Sequence, residues 1–350
     1  MSQTDKNIVF FNLAVMPYHI AVFKALISKG YNCVVYWYGT APKTAYRAPK
    51  IQGLTQYNRF DYRSATELFE HSRQFSPCVV VCSGWKDRGY NKASRTYKQQ
   101  NVTTLAMSDT QWRGGRQWIN VILSPFRHKR YFEYIWGAGI LQFDYARKLG
   151  FPPERLLTNC LAGDTDTFSK VKIEDKEPNY PRRFLFVGRF VEVKAIDVLL
   201  KAWQLIENKK GWELELIGDG PLKENFRKEY PDVIFKDFMV QSELAVAAQQ
   251  SGCFVIPSRF ENWSLVIQEF ASAGLPVIAT RQCGAARHFV LNGHNGYIVE
   301  AEDVEALKEA MTNIINAPTD KLLYYSRNSR RLALRVTPEF VADTLISVIQ

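Results

Sequence analysis

Two carboxylates eight positions apart follow a short apolar strand in the second half of the sequence. The strand, Cys253–Ile256, leads into a Pro-Ser turn, and Glu261 precedes a helix that we expect to begin at about Trp263. Glu269 then lies two turns inside that helix, because an α-helix repeats every 3.6 residues. The backbone N–H groups at the helix start suit a phosphate, and the acids suit sugar hydroxyls. The spacing predicts a nucleotide-sugar pocket.

Each acid also has an ordinary structural interpretation. Glu261 could be a solvated loop residue or a helix cap, and Glu269 an exposed helix residue, since most charged side chains are solvated. The surroundings favour binding, because small residues at 271–274 lead into a second buried strand at 276–279. Open α/β sheets bind ligands at the carboxyl ends of their strands, where these acids would lie.

A glycine and two cations follow the first strand of the second half. Gly188 ends an apolar run, and Arg189 and Lys194 come shortly after it. Glycine allows the backbone to approach a ligand, and fixed cations stabilise the charge that develops on a departing nucleoside diphosphate. Both cations could instead be surface charges, with Lys194 paired to Glu192. The two acids in the same half favour the binding interpretation.

A Gly-Asp-Gly-Pro turn at 218–221 ends another apolar run. Lys223 stands where a dinucleotide fingerprint needs its third glycine, which argues against a nicotinamide site and a dehydrogenase. A tight turn with Pro221 in the first helical position explains the residues equally well. At the next strand exit, Met239 could meet a nucleobase, whereas we favour core packing for Phe238.

Apolar strand-like runs alternate with helix-like segments along most of the chain, without hairpin signals. We predict strands at 8–14, 33–36, 78–82, 102–107, 184–187, 213–217, 233–235, 253–256, 277–279 and 297–299. We predict helices at 18–28, 66–73, 117–123, 140–149, 196–206, 222–229, 242–250, 266–273, 304–315 and 338–350. Such alternation predicts an α/β fold with two doubly wound parallel sheets.

Charge and composition divide the chain in two. Residues 1–165 contain 22 Lys and Arg against 10 Asp and Glu, a net charge of +12, whereas residues 166–350 contain 23 against 25, a net charge of −2. The polar segment 169–183 contains two prolines and resembles a linker. We therefore place an N-terminal domain at 1–165 and a C-terminal domain at 166–337. The basic half implies an anionic partner.

Other features indicate an ordinary cytoplasmic protein. The chain is 46% hydrophobic and 23% charged, within the globular range. It has no apolar run of membrane-spanning length and no signal-peptide pattern. The six cysteines are scattered, without a zinc-binding spacing. We expect a reduced, cytoplasmic protein without a bound metal.

Residues 184–315 resemble the donor domain of the retaining family-4 glycosyltransferases of the GT-B fold. The matching elements are Gly188-Arg189 with Lys194, Gly218-Asp219-Gly220-Pro221, Pro257-Ser258, Glu261 with Glu269, and Gly274-Leu275-Pro276-Val277-Ile278. The resemblance implies two doubly wound domains facing each other across a cleft, with a last helix at 338–350 packing back on the first. It also implies metal-independent, retaining transfer of a hexosyl group, with no cofactor beyond the nucleotide sugar.

The resemblance assigns roles to particular residues. Arg189 and Lys194 would hold the diphosphate, Glu261 would lie beside the donor sugar, and Glu269 would bind the ribose hydroxyls. The remaining donor-site residues would be Gly188, Met239, Asn262, Trp263, Ser264 and Leu265. Nothing around 238–240 distinguishes uracil from guanine, and our expectation is a uridine rather than a guanosine diphosphate sugar.

The N-terminal half departs from the commonest pattern of that family. A Gly-Gly turn usually follows the first strand, whereas this chain has Val-Met-Pro-Tyr-His at 15–19, in which we favour a structural role for His19. Ser108 and Asp109 stand where a histidine is common. Asp109 could orient an acceptor hydroxyl or the sugar, or cap the following segment. These departures resemble the subgroup that acts in exopolysaccharide or O-antigen assembly, which implies a lipid-linked saccharide or another glycan precursor as acceptor.

A basic and aromatic stretch lies between 112 and 132. Its cations are Arg113, Arg116, Arg127, Lys129 and Arg130. Cations beside aromatic rings suit an anionic membrane surface, and a single-stranded nucleic acid would be bound by a similar pattern. A solvated basic helix with Trp118, Ile119, Ile122 and Leu123 turned inward is the structural alternative. We favour membrane or lipid-diphosphate contact over nucleic acid. The protein would then be peripheral, on the inner face of the membrane.

A non-enzymatic protein of the same fold is the competing hypothesis. Its basic half would dock on a membrane or a nucleic acid, and the acids and cations of the second half would have no substrate. The complete set of donor residues favours an enzyme.

Overall fold

The computed structural model describes residues 6–39 and 50–349 and divides into two compact units. Unit 1 comprises the described residues up to Ala162 together with those from Val336 onward, and unit 2 comprises Gly163–Arg335. Each unit contains one wholly parallel sheet. The predicted α/β class with two parallel sheets is confirmed.

The sheet of unit 1 has seven strands in the order β3-β2-β1-β4-β5-β6-β7. The strands are β1 Asn7–Phe11, β2 Asn32–Trp37, β3 Leu54–Asn58, β4 Val79–Cys82, β5 Thr103–Ser108, β6 Tyr134–Gly137 and β7 Leu156–Leu157. The alternation predicted β1, β2, β4 and β5 but not the other three. Strand β3 is polar and lies at an edge, and β7 has two residues, so neither has the apolar run that marks a buried parallel strand.

Six helices lie between or beside these strands in the described residues up to Ala162. They are α1 Pro17–Ser28, α2 Ala65–Ser72, α3 Arg88–Gln99, α4 Gln117–Leu123, α5 His128–Tyr131 and α6 Ile140–Lys148. Helix α3 was not predicted, because its buried face consists of tyrosine and small or polar residues rather than aliphatic ones. One of these, Tyr90, donates a hydrogen bond of 2.9 Å to the carbonyl of Tyr36 at the end of β2.

The sheet of unit 2 has six strands in the order β10-β9-β8-β11-β12-β13. The strands are β8 Arg183–Val187, β9 Glu213–Ile217, β10 Ile234–Lys236, β11 Cys253–Ile256, β12 Val277–Thr280 and β13 Gly296–Val299. The helices are α7 Thr165–Phe168, α8 Ile196–Gln204, α9 Lys223–Glu229, α10 Gln241–Gln249, α11 Leu265–Ser272, α12 Ala286–Phe289, α13 Val304–Asn316 and α14 Thr319–Ala333. All six strands were predicted, because most of them are continuous apolar runs between helices.

The last helix, α15 (Pro338–Ile346), belongs to unit 1. Its Val341, Ala342 and Leu345 are fully buried. The Lys29 ammonium at the end of α1 lies 2.7 Å from the Asp343 carboxylate. Unit 1 is therefore built from two separate stretches of the sequence.

The segment 169–183 is part of unit 2 and not a linker. Ile173, Lys176 and Tyr180 are buried in it, and the Lys176 ammonium donates to the carbonyls of Ala248 and Ser251 at 2.9 and 2.8 Å. These carbonyls lie at and just beyond the C-terminal end of α10, where helix carbonyls have no donor within the helix. Burial lowers the pKa of Lys176 to about 7. The segment 169–183 resembled a linker because it is rich in charged residues, and the sequence does not show that Lys176 is buried by the rest of unit 2.

Glycine is required in the turn after β9 because the loop after β8 lies against it. A Cβ on Gly218 would lie 1.9 Å from the Gly188 carbonyl oxygen, and one on Gly220 would lie 2.6 Å from that of Phe190. Gly218 and Gly220 also have φ values of 144° and 151°, which residues with a side chain rarely adopt. The Gly-Asp-Gly sequence therefore allows two loops at the same edge of the sheet to touch.

We expect Gly218→Ala to lower the free energy of unfolding by about 3 kcal/mol or more, because it combines a backbone clash with strain. Gly293→Ala is the matched control in the same unit, since Gly293 has a φ of 70° and open space around it. The control should cost about 1 kcal/mol. Urea denaturation of both variants measures the difference, and equal losses would contradict the proposed clash.

Candidate functional site

The structure brings Lys194 and Glu261 together. Lys194 ends a short 3₁₀ turn after β8, and Glu261 lies in the loop after the neighbouring strand β11. The Lys194 ammonium donates to the Glu261 carboxylate, and the buried Ser258 hydroxyl donates to the same oxygen at 3.0 Å. Lys194 is therefore paired with Glu261 and not with Glu192. The pair places one cation and one anion at the carboxyl edge of the sheet.

The loop containing Glu261 is fixed by the loop that follows β12. The Glu261 amide donates to the Gln282 carbonyl at 3.3 Å, and the Gly284 amide donates back to the Glu261 carbonyl at 3.2 Å. The Ala285 amide donates to the Trp263 carbonyl at 2.8 Å. These backbone bonds hold Glu261 in position independently of its side chain.

Helix α11 begins directly after this loop and has unpaired donors at its start. Within residues 6–39 and 50–349, the amides of Trp263, Ser264 and Leu265 donate no hydrogen bond. Ser264 adopts a left-handed conformation, with φ of 82°. The Trp263 side chain is buried against Phe289, so only its backbone can serve a ligand. Asn262 precedes these residues in the same loop. The arrangement suits an anion at the helix start.

Gly188 and Arg189 lie in the loop after β8, but the structure does not join Arg189 to the charge pair. The Gly188 amide donates to the Ile217 carbonyl at 3.0 Å, which fixes the loop. The Arg189 side chain is exposed, and it makes no hydrogen bond or ion pair with any residue the structure describes. Lys194 is the cation held in place, whereas Arg189 remains available to solvent.

Glu269 is buried inside unit 2, about one turn from the start of α11. One of its carboxylate oxygens accepts a hydrogen bond of 3.3 Å from the Asp164 amide. Burial raises the pKa of Glu269 to about 7, and the negative charge of Asp164 acts in the same direction, whereas the Asp164 amide and Gln241 lower it. The helix begins at Leu265, between the two starts that the sequence suggested, at about Trp263 and at 266. The interpretation of Glu269 as an exposed helix residue is wrong.

The strand exits after β9 and β10 are joined by Lys223. Its ammonium donates to the carbonyls of Gly218 and Lys236, both at 3.0 Å, and pairs with Asp237. Phe238 is 73% exposed, so the expected core packing of this ring is wrong. Met239 beside it is half-buried. An apolar face is thus available at this strand exit.

The candidate Asp109 belongs to unit 1, where it follows β5. The residue is exposed at the surface, yet neighbouring protein atoms displace part of its water, and this desolvation raises the pKa of the Asp109 carboxyl. The positive charge of Lys86 acts in the opposite direction but does not cancel the rise. It caps no helix, because the next helix begins at Gln117 with Arg116 as its cap. His19 is buried and its Nδ1 accepts from the Met16 amide at 3.0 Å, consistent with a structural role.

The basic stretch of unit 1 has an exposed apolar face. Trp118 and Ile119 are each 55% exposed, Ile122 71% and Phe126 70%. The alternative in which Trp118, Ile119 and Ile122 turn inward is therefore wrong. Arg113, Arg116, Arg127, Lys129 and Arg130 are also exposed.

Residues 6–39 and 50–349 contain no cluster of three or more His, Cys, Asp or Glu side chains able to hold a metal ion. None of the helices in the same ranges is both long and apolar enough to cross a bilayer.

Three side chains at the site were not predicted as site residues from the sequence. Ser258 donates to Glu261, Lys223 joins two strand exits, and Gln268 makes two buried bonds next to Glu269. The Pro-Ser turn was the one available signal for Ser258. Nothing in the sequence marks Gln268, since its partners are backbone groups distant along the chain. Lys223 was noted only as the residue that interrupts a glycine pattern, because the sequence does not show that its ammonium reaches two strand exits.

The family model described as "Glycosyl transferases group 1" matches residues 181–317, which lie within unit 2. An uncharacterized glycosyltransferase of Methanocaldococcus jannaschii is 34% identical over 141 residues, 38% of this chain and 38% of that protein. The capsular polysaccharide biosynthesis glycosyltransferase CapM of Staphylococcus aureus is 31% identical over 172 residues, 47% of this chain and 44% of that protein. The chain thus spans less than half the length of these relatives.

Solved structures show the same fold over nearly the whole chain. HepE of Anabaena, solved with UDP, superposes with a TM-score of 0.74 at 14% identity and covers 97% of this chain and 98% of its own. The lipopolysaccharide outer core galactosyltransferase WaaB superposes with a TM-score of 0.72 at 14% identity, covering 97% and 98%. The fold is that of the GT-B glycosyltransferases.

We expect Glu269→Gln to stabilise the protein at high pH. The folded-state pKa of about 7 lies above the usual 4.5. As pH rises from 4.5 to 7, Glu269 ionises in the unfolded chain but stays protonated in the folded protein, so the free energy of unfolding falls. Glutamine can still accept from Asp164, so the variant should gain up to about 3 kcal/mol at pH 8 and nothing below pH 4.5.

Denaturation of both proteins at pH 4, 6 and 8 measures this gain, with the exposed Glu309→Gln as control. A stability difference between wild type and Glu269→Gln that does not change with pH would refute the assignment.

Proposed function

We propose that this chain is a metal-independent retaining glycosyltransferase that binds a nucleotide diphosphate sugar at the carboxyl edge of the sheet of unit 2. The observation that supports this proposal is the Lys194–Glu261 pair next to the start of α11. The ammonium and the amides of Trp263, Ser264 and Leu265, which have no partner among the described residues, offer positive charge to a diphosphate. The carboxylate of Glu261 offers an acceptor to sugar hydroxyls.

In the proposed reaction, the bond between the anomeric carbon and the β-phosphate oxygen breaks while an acceptor hydroxyl attacks from the same face. The acceptor oxygen forms the new glycosidic bond, and its proton passes to the departing phosphate oxygen. Negative charge builds on the diphosphate, so Lys194 stabilises the transition state more than the ground state. Arg189, exposed on the same loop, adds a second cation once the diphosphate is bound.

Ribose recognition is proposed for Glu269, through the carboxylate oxygen that does not accept from Asp164. Met239, half-buried beside the exposed Phe238, contributes an apolar contact to the base. A uridine diphosphate hexose is the proposed donor, supported by the titles of the similar structure HepE, which was solved with UDP and with UDP-glucose.

A saccharide of a surface glycan precursor, linked to a lipid, is the proposed acceptor. The names of the relatives support it: one is a lipopolysaccharide core biosynthesis glycosyltransferase of Rhizobium meliloti and another the capsular polysaccharide enzyme CapM. Asp109 is the proposed contact for an acceptor hydroxyl, since it is exposed at the carboxyl edge of the sheet of unit 1.

An anionic bilayer on the cytoplasmic side is the proposed partner of the exposed face of α4. Trp118, Ile119 and Ile122 of α4 and Phe126 just after it are exposed apolar side chains, and exposed arginines precede and follow them. A monomeric protein rarely exposes several large apolar side chains together without a partner. Cations beside aromatic rings suit anionic lipid headgroups. We favour lipid over nucleic acid because the proposed reaction already requires a saccharide acceptor. The protein would thus be peripheral to the membrane.

We expect Lys194→Ala to lower the turnover number by about 10²–10³-fold at saturating donor, the usual loss for one transition-state donor. Lys201→Ala, which removes an exposed cation of α8, is the matched control and should retain full activity. Sugar transfer by wild type and both variants would be measured with a panel of UDP- and GDP-sugars. Normal turnover of Lys194→Ala would exclude its role, and an inactive wild type would favour a non-catalytic binding protein.

We expect the double substitution Trp118→Ser with Ile122→Ser to weaken binding to phosphatidylglycerol vesicles at least about tenfold, because two apolar side chains no longer enter the bilayer. Val246→Ser with Leu291→Ser removes two exposed apolar side chains of unit 2 and should leave binding unchanged. Vesicle co-sedimentation measures both. Unchanged binding of the first variant would refute this surface.

A further inference from the structure

Gln268 of α11 is fully buried and makes two long-range bonds through its side chain. Its Oε1 accepts from the Gly163 amide at 2.8 Å, and its Nε2 donates to the Ala333 carbonyl at 3.1 Å. The Ala333 carbonyl is one of the last four of α14, which have no backbone donor within the helix. One amide side chain thus satisfies backbone groups from two distant segments.

These two segments are where the polypeptide passes between the units. Gly163 is the first residue of unit 2 after the chain leaves unit 1 at Ala162. Ala333 ends α14, two residues before the chain returns to unit 1 after Arg335. A single side chain therefore holds the chain at both of its crossings, which we call the first and second crossing.

Contacts around Gln268 strengthen both attachments to α11. The next residue, Glu269, accepts from the Asp164 amide at 3.3 Å. A Cβ on Gly163 would lie 2.8 Å from the Glu269 Cγ, so the first crossing lies directly against the helix. At the second crossing, the Arg330 guanidinium donates to the Ser272 carbonyl at 3.0 Å.

Gln268 also lies close to the candidate donor site along the same helix. Helix α11 begins at Leu265, where the unpaired amides of the described residues lie, and Gln268 follows one turn later. A turn of α-helix rises 5.4 Å and is rigid on this scale. A shift of the helix start on ligand binding would therefore reach Gln268 and both crossings.

We propose that Gln268 is a positioning residue that fixes both crossings to α11, so that the donor site and the crossings move together. Its catalytic consequence rests on the proposed function. Without Gln268, donor would still bind, because no donor contact is lost, but turnover would fall as the crossings lose their fixed relation to the site. If Gln268 were important only for stability, its substitution would lower the melting temperature, but it would not lower turnover while leaving donor binding unchanged.

The test compares Gln268→Met, which keeps side-chain volume but removes both bonds, with Ser272→Ala. Ser272 is equally buried on α11, and among the residues that the structure describes its hydroxyl bonds only to the Glu269 carbonyl of the same helix, at 2.8 Å. We expect amide hydrogen exchange in Gln268→Met to be about tenfold faster at 163–165 and 333–336, with smaller changes elsewhere. Equal exchange in the two variants at these segments would overturn the proposal.

Gly163→Ala provides a second variant in case Gln268→Met does not fold. Its Cβ would displace the first crossing from Glu269, so exchange should rise at 163–165 and not at 333–336. If exchange rises equally at both crossings in Gly163→Ala, the attachments are not separate and the proposal is wrong.

Kinetics then separate this inference from the proposed function. We expect Gln268→Met to keep donor affinity within about twofold and lose about tenfold in turnover. Weakened donor binding with normal turnover would refute the positioning role. An inactive wild type would refute the proposed function, whereas the exchange measurements would still decide whether Gln268 holds the crossings.

Discussion

All strands of both sheets run parallel, so the loops that follow the strands of each sheet leave it at one edge. In unit 2, β8 and β11 are neighbours although long stretches of chain separate them. Lys194 and Glu261, which follow these two strands, meet because of this strand order. The same constraint brings the turn at Gly218 against the loop at Gly188, where a side chain would not fit. Strand order thus decides which residues can form a site.

The sequence predicted the sheet of unit 2 better than that of unit 1. Buried parallel strands such as β11 are continuous apolar runs, whereas an edge strand such as β3 resembles a loop. The sequence placed Lys194 and Glu261 in one pocket but could not show that they pair. The ring of Phe238 was expected inside, and Glu269 could not be distinguished from an exposed residue. Local sequence does not show which side chains the rest of the chain will cover.

Several charged side chains in unit 2 are buried, and each has oppositely charged or polar partners. Glu215 lies 3.1 Å from both Arg183 and Lys236, and Lys223 is bound by two carbonyls and Asp237. A buried charge is costly unless hydrogen bonds and counter-charges replace the water it loses. The Lys223 cluster joins the strand exits after β9 and β10 at the carboxyl edge of the sheet, whereas Arg183 begins β8 at the amino end. Polar interactions therefore order the ends of the strands, and the apolar core lies beneath the sheet.

Unit 1 is interrupted in sequence by the whole of unit 2, and its last helix covers α1. During synthesis on the ribosome, unit 2 is complete before α15 emerges, whereas unit 1 cannot be completed until α15 has been made. A premature stop codon shortly after Arg335 would therefore leave the second unit whole. The damage would appear at the opposite end of the polypeptide, where the apolar side chains on α1 would be exposed to water.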